Sequence, residues 1–449
     1  MALRLVILGA VLALMQAARS FAPADRGAAQ AGAGTLAFGF VLLAAFFAGR
    51  SFKSLGLPRL TGYIAIGLAV GPGALGLLSP AMVADLKLFN GVAVSLIALT
   101  AGSELDFRAI RPLLRTIGWI TAIAVLGTTL LLAGVVYALR AHVPFMADLA
   151  VLPALAVAVL LGVTTVAQSP AVVVALRDET EAEGPISQTV LGVVVLADLV
   201  VIVLFALASA FAKSVLGGDA DVVRTLRELG WELFGSLGVG VVVGVVIAIY
   251  LRQVAGNAAL FLLAVSIGVA EIGSRVHLDP LLVALAAGMV LRNLTELGER
   301  VLHEIEGASL PVYAVFFAVA GATIHLDVLP LVWIPALAIV GTRAFGLLVG
   351  TRIAARVAGA PAEVGRYAGF GLLPQAGLAL ALAMLFVRTF PSFGEGAAAL
   401  TLGVVAINEV VAPVFFRLAL VRSGEAGQRR ARDLSLSGGE PAPVEVSGR

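Results

Sequence analysis

Long apolar runs alternate with short polar loops along almost the whole chain, and two of the runs are broken in the middle. Runs able to cross about 30 Å of hydrocarbon cover 34–50, 58–78, 88–105, 113–139, 149–176, 186–213, 229–251, 257–275, 278–292, 308–325, 329–354, 365–390 and 396–420. The pattern predicts an all-α polytopic membrane protein of about thirteen transmembrane helices. The fifth run, Leu149 to Leu176, is interrupted by Thr164-Thr165-Val166-Ala167-Gln168-Ser169-Pro170. The twelfth, Gly365 to Phe390, is interrupted by Leu373-Pro374-Gln375-Ala376-Gly377.

A break in lipid frees backbone N–H and C=O groups that no water can satisfy, so it has to be enclosed by protein. Taken singly, either break is a kinked helix packed on its neighbours. The pair lies seven runs apart, which predicts two six-helix repeats, runs one to six and eight to thirteen, joined by run seven. An odd offset puts the copies in opposite orientations. Inverted repeats with crossed discontinuous helices are the architecture in which secondary transporters hold their ions.

Loop charge sets the orientation. Arg50, Lys53 and Arg59, then Arg108, Arg111 and Arg115, then Arg292 and Arg300, then Arg352, Arg356 and Arg366 fall on one side. Arg422, Arg429, Arg430 and Arg432 join them, whereas the other side has one dense cluster, Lys213, Arg224 and Arg227. The positive-inside rule therefore predicts an N-terminus outside and a C-terminus in the cytoplasm. The first residues fit this. Arg4, the apolar Leu5 to Met15 and Ala22-Pro23-Ala24 ahead of Asp25 read as a signal peptide over 1–24, with a short extra membrane helix as the alternative. Residues 421–449, rich in Gly, Ser, Pro, Glu and Arg, read as a disordered cytoplasmic tail.

Composition narrows the chemistry. Apolar residues make up 60% and charged ones 13%, with a mean hydropathy of +1.05. The net charge of +2 comes from loop arginines and is no sign of nucleic-acid binding. There is no cysteine, and the four histidines have no pair at metal-ligand spacing. No nucleophile–base constellation and no nucleotide-binding glycine motif is present, so neither an enzyme nor a cofactor is expected.

Asp198 stands in Leu196-Ala197-Asp198-Leu199-Val200, near the middle of Ile186 to Ala212 and with no other acid in that helix. A charge at mid-membrane costs at least about 2.5–3.5 kcal/mol on insertion scales, which marks it as functional. A buried carboxylate can be neutralised by a proton or by a metal cation, and the two compete for the same oxygens. The bland alternative is a protonated Asp bonded within the bundle. Arg343, in the middle of Pro330 to Ala354, needs an acid, a cluster of backbone carbonyls or water. Asp198 and Glu409 are its candidate acids, although Glu409 also reads as a helix-packing carboxyl. Thr164, Thr165, Gln168 and Ser169 offer oxygen donors for a hard monovalent cation at the first break, while the second offers Gln375 alone.

These residues are where the chain resembles the cation:proton antiporter superfamily, and within it the Kef-type and bacterial Na⁺/H⁺ antiporter branch. Leu57-Pro58, Thr61-Gly62-Tyr63 and Gly71-Pro72 are similar to the family's second helix, and Ala101-Gly102-Ser103-Glu104-Leu105-Asp106 to the end of its third. Phe316-Phe317 with Gly321 is similar to a further family stretch. The resemblance makes Asp198 the ion-binding aspartate, Ser169-Pro170 the unwound pair of the first crossing helix, and Arg343 the basic residue preceding the second. It implies a moving core of about 113–213 and 329–420, a dimerisation scaffold of about 34–105 and 257–325, elevator-like transport and a homodimer in the bacterial inner membrane. The expected function is exchange of Na⁺ or K⁺ for protons, electroneutral because one carboxylate serves both ions. Two alternatives stay open: a Na⁺-binding carrier that moves another solute without proton exchange, and a Kef-like K⁺ efflux pathway. The chain departs from the family at Ala197, where Asp, Asn or Gln is usual, at Val193, which replaces a glutamate of some relatives, and at Gln375-Ala376-Gly377, where "RGE" is common.

Overall fold

A computed structural model of the protein describes residues 2–20, 26–216, 227, 230–253, 258–276, 278–295, 311–324, 329–375, 377–390 and 393–436. Among these residues every regular element is a helix. The chain runs through α1 (Ala2–Ser20), α2 (Arg26–Ser54), α3 (Arg59–Val70), α4 (Lys87–Glu104), α5 (Arg111–Ala138), α6 (Val151–Val166), α7 (Pro170–Thr180) and α8 (Pro185–Val215). It continues through α9 (Ser236–Gln253), α10 (Ala258–Arg275), α11 (Pro280–Asn293), α12 (Pro311–Ala322), α13 (Leu329–Ala358), α14 (Ala362–Gly371), α15 (Gly377–Thr389), α16 (Gly394–Arg422) and α17 (Gln428–Leu436). Each of the thirteen apolar runs meets a helix or a broken pair of helices among the described residues.

The helices pack in two groups. In the first, α5, α6, α8, α13, α14, α15 and α16 lie against one another. In the second, α4 packs on α10 and α11, α9 on α11, and α2 on α3. Small residues let the backbones of the second group approach closely, as membrane helix pairs require. A Cβ on Gly67 of α3 would sit 1.9 Å from the Ala318 carbonyl oxygen of α12, and one on Gly102 of α4 would sit 2.1 Å from that of Leu285 in α11. The Gly-containing stretches that carry the family resemblance are thus contact surfaces. Asn293 closes the end of α4 by donating to the Leu105 carbonyl at 2.7 Å, and Arg292 reaches Asp106 at 3.3 Å.

Both breaks are present, and the first is shorter than the sequence pattern. The first leaves only Ala167–Ser169 between α6 and α7, and the second leaves residues 372–376 between α14 and α15. Thr164 and Thr165 stay helical, and their hydroxyls donate to the Leu160 and Leu161 carbonyls one turn back, at 2.9 and 2.6 Å. Ser169 caps α7 by accepting from the Val172 amide at 3.3 Å, with Pro170 at the first helical position where it loses no bond.

The C-terminal reading needs correction. Residues 423–436 were expected in a disordered tail, yet they form a turn and α17, and Glu425 is buried. Polar composition gives no apolar face to bury, but Glu425 and Arg429 dock through hydrogen bonds instead. Residues 437–449 lie outside the described residues, as do Ala22-Pro23-Ala24, Ala376 and the side chain of Glu104. Upstream, α1 packs on α2, with Met15 buried.

Candidate ion-binding site

The centre of the first group is built around helix ends. The C-terminal ends of α6 and α14 converge on Arg343 of α13, and carbonyls at helix C-termini carry partial negative charge with no partner inside their own helix. Arg343 is fully buried and supplies what they lack. Its Nη1 donates to the Leu373 carbonyl at 2.6 Å, and its Nη2 donates to Ala167 at 3.0 Å and to Leu372 at 3.1 Å. One guanidinium therefore ties the two breaks together. Only the planar fork of an arginine presents donors to both at once.

Gln375 makes the second tie. Its Nε2 donates to the Thr165 carbonyl at 2.7 Å and to that of Ala167 at 3.2 Å, across from the second break to the first. Its Oε1 accepts from Nδ2 of Asn408 in α16 at 2.8 Å, and Asn408 also donates to the Val404 carbonyl at 3.1 Å. The result is a continuous buried polar chain from α16 through the second break to the first.

The expected acids of Arg343 are not its partners. Neither Asp198 nor Glu409 forms an ion pair with it; of the readings left open for this arginine, the carbonyl cluster is the one found. The physical reason is the number of orphan carbonyls at two helix ends, which sequence spacing does not reveal. Asp198 lies buried in α8, a helix that packs on α6 and α14, and its Oδ1 has no hydrogen-bond partner. Glu409 is buried in α16, next to Asn408, and its Oε1 is likewise unpartnered. Gln168 in the first break is buried with both its Oε1 and its Nε2 unpartnered. Of the five oxygen donors read from the sequence, the side chains of Thr164, Thr165 and Ser169 are engaged with backbone, whereas Asp198 and Gln168 keep free valence.

Two residues escaped the sequence reading. Asn408 stood beside the more conspicuous Glu409, and an Asn in an apolar helix was the available signal. Asp279 is the other. It caps α11 by accepting from the Leu281 amide at 2.8 Å, and its own amide donates to Ser236 Oγ at 2.8 Å. It also lies within electrostatic range of Asp198. In sequence Asp279-Pro280 reads only as a helix start. Two carboxylates that sense each other repel when both are ionised, and a cation or a proton relieves that repulsion. Glu271 pairs with Arg275 on the exposed face of α10.

Many solved structures share this fold, among them two of one antiporter. The sodium proton antiporter MjNhaP1 from Methanocaldococcus jannaschii at pH 8 matches with a TM-score of 0.62 and 16% identity, over 91% of this chain and 99% of that one. An electron-microscopy structure of the same antiporter matches with a TM-score of 0.65 and 15% identity, over 90% of this chain and 98% of that one. A comparison with curated proteins gives no match. The profile of the family described as "Sodium/hydrogen exchanger, transmembrane" matches residues 25–422, nearly the whole length that carries the helices and the two breaks. The chain belongs to the sodium/hydrogen exchanger family.

Proposed function

We propose that this protein exchanges one Na⁺ or K⁺ for one proton at Asp198. The observation that carries the reading is the Asp198 carboxylate, buried in a helix packed on both broken pairs and holding an unpartnered oxygen. A bare carboxylate there is costly, so either a proton or a cation has to neutralise it before it crosses the membrane. Gln168, Thr164, Thr165 and Ser169 at the first break supply neutral oxygens for the cation, and Gln168 is the one with its amide unengaged. Arg343 and Gln375 hold the two breaks in register, and Glu409 adds a second buried carboxylate to the core. Because Arg343 lies on three carbonyls, its charge offsets helix ends and leaves Asp198 to its exchangeable ligand. One carboxylate alternating between one cation and one proton moves no net charge per cycle.

In this reading α5–α8 and α13–α16 form a core that moves against a scaffold of α2–α4 and α9–α12. The protein works as a homodimer in a bacterial inner membrane, with its N-terminus outside and its C-terminus in the cytoplasm.

The test is proton movement in everted vesicles from an antiporter-deficient host, comparing wild type with Asp198→Asn. With an acid-inside gradient established, Na⁺, K⁺ or Li⁺ is added in turn. Cation-triggered loss of the gradient in wild type, abolished by Asp198→Asn, is the expected result. No response to any cation in folded wild type overturns the proposal. Current on a supported membrane under opposing cation and pH gradients tests the stoichiometry, and plain electrogenicity refutes the one-for-one exchange.

A further inference from the structure

The helix that carries Asp198 begins without a cap of its own. Gly184 precedes Pro185 and has no side chain to offer the first amides of α8. A residue from the far end of the chain fills the gap. Glu425 accepts from the Ile186 amide at 2.6 Å through Oε1 and from the Ser187 amide at 2.8 Å through Oε2. A carboxylate at this position also meets the positive end of the helix. Gly424 and Gly427, both at φ +79°, turn the chain so that Glu425 points inward between them.

Around this cap the tail pairs along its backbone with residues 180–183, at the end of α7 and in the turn before α8. The Glu183 amide donates to the Glu425 carbonyl at 3.2 Å, Gly427 to Thr180 at 2.9 Å, and Arg429 to Glu181 at 3.0 Å. Arg429 Nη1 reaches Asp178 Oδ1 at 3.0 Å, and Arg432 pairs with Glu183. The last turn of α7 touches the scaffold. Asp178 Oδ2 accepts from the Tyr313 hydroxyl of α12 at 2.9 Å, and Glu179 accepts from the Arg59 amide at the start of α3 at 2.7 and 3.0 Å. Asp178 thus holds the tail on one oxygen and the scaffold on the other.

We propose that residues 423–432 are a latch, which through Glu425 and the Arg429–Asp178–Tyr313 bridge holds the core against the scaffold on the side where the tail lies. The inference rests on the proposed movement of core against scaffold and adds a device that restrains it. With the latch seated, Asp178 and Glu179 are fixed where Tyr313 and the first turn of α3 can bind them. When it leaves, α8 loses its cap and the end of α7 its Arg429 anchor, and the scaffold contacts made by Asp178 and Glu179 weaken. Anything that draws the tail away, such as a cytoplasmic acidic surface competing for Arg429 and Arg432, therefore loosens the rim between the two groups.

Amide hydrogen exchange of the full-length protein in nanodiscs tests this, because local opening is read residue by residue. The Arg59 and Leu60 amides on the scaffold are the reporters, since their protection passes through Glu179. Arg429→Ala and Glu425→Ala are expected to speed exchange at residues 59–61, together with 180–187, by about fivefold or more, the lower end of site-to-site coupling. Arg430→Ala, which removes an equal charge from an exposed neighbour, is expected to leave 59–61 unchanged. Faster exchange confined to 180–187 overturns the latch, and so does an equal rise at 59–61 in Arg430→Ala. Should Glu425→Ala fail to fold, Arg429→Ala decides alone. The readout needs no transported ion, so a failure of cation/proton exchange and a failure of the latch are separate results.

Discussion

The two breaks look alike in the sequence and differ in what they do. The second is structural: its carbonyls at Leu372 and Leu373 are held by Arg343, and Gln375 is committed at both ends, to the first break and to Asn408. The first receives those ties on the carbonyls of Thr165 and Ala167 but keeps Gln168 unengaged. Inverted repeats therefore need not be used equally. One crossing here is the brace and the other holds the open donors, and the absence of an "RGE" charge pair from the brace follows from what it has to do. An uncharged Gln can donate to carbonyls and accept from an amide at once, which neither Arg nor an ionised Glu can.

Arg343→Leu should break the comparison outright, since it strands the Leu372 and Leu373 carbonyls and leaves that of Ala167 to Gln375 alone. Groups left unsatisfied in this way cost about 1–3 kcal/mol each. We expect thermal unfolding of the purified protein to fall by the equivalent of about 3 kcal/mol or more. Arg343→Lys should recover part of it, because an ammonium cannot span both breaks in the same geometry. A melt indistinguishable from wild type would refute the bracing role.

Gln375→Ala comes next, with an expected loss of about 1–3 kcal/mol. In a double-mutant cycle with Asn408→Ala the two losses should fail to add, because the side chains share one hydrogen bond. Strict additivity would mean that the polar chain across the breaks carries no common stability.

Gln168→Ala is the counterpart that sharpens the asymmetry. The side chain has no bond to lose, so the melt should fall by less than in Gln375→Ala, by about 1 kcal/mol at most. The cation concentration for half-maximal exchange should increase by about tenfold, as for the loss of one ligand contact worth about 1.4 kcal/mol. If Gln168→Ala unfolds the protein while Gln375→Ala spares it, the roles are reversed.

The smallest effect belongs to Glu409→Gln. A partner of Arg343 would be as sensitive as the arginine itself, but Arg343 bonds to carbonyls. Stability should therefore change by less than about 1 kcal/mol, within the range of an ordinary substitution. A collapse equal to that of Arg343→Leu would restore the ion pair.

Much of the fold was legible because lipid imposes a coarse and strict rule: apolar runs of spanning length, arginines between them, and breaks only where protein encloses the backbone. The thirteen runs and both interruptions follow from it. Glycines such as Gly67 and Gly102 could be matched to a family pattern but gained their meaning only when Ala318 and Leu285 were seen against them. The site was legible in part. Asp198 and Arg343 announced themselves by the cost of burying charge, and Gln375 and the donors of the first break by their position.

The choice of partners was not readable. Each break was placed to within a few residues, but Thr164 and Thr165 turned out to close hydrogen bonds in their own helix. A tail read as disordered turned out to cap the helix of Asp198 through Glu425. The sequence by itself determined the class of protein, the helices that cross the membrane, the two interruptions and the charges that had to be accounted for, because each of those is set by local transfer between water and lipid. Only the tertiary structure decided that Arg343 binds carbonyls and that Gln375 bridges the crossing helices. Hydrogen bonds form between groups that packing brings within about 3 Å, at whatever distance they stand along the chain.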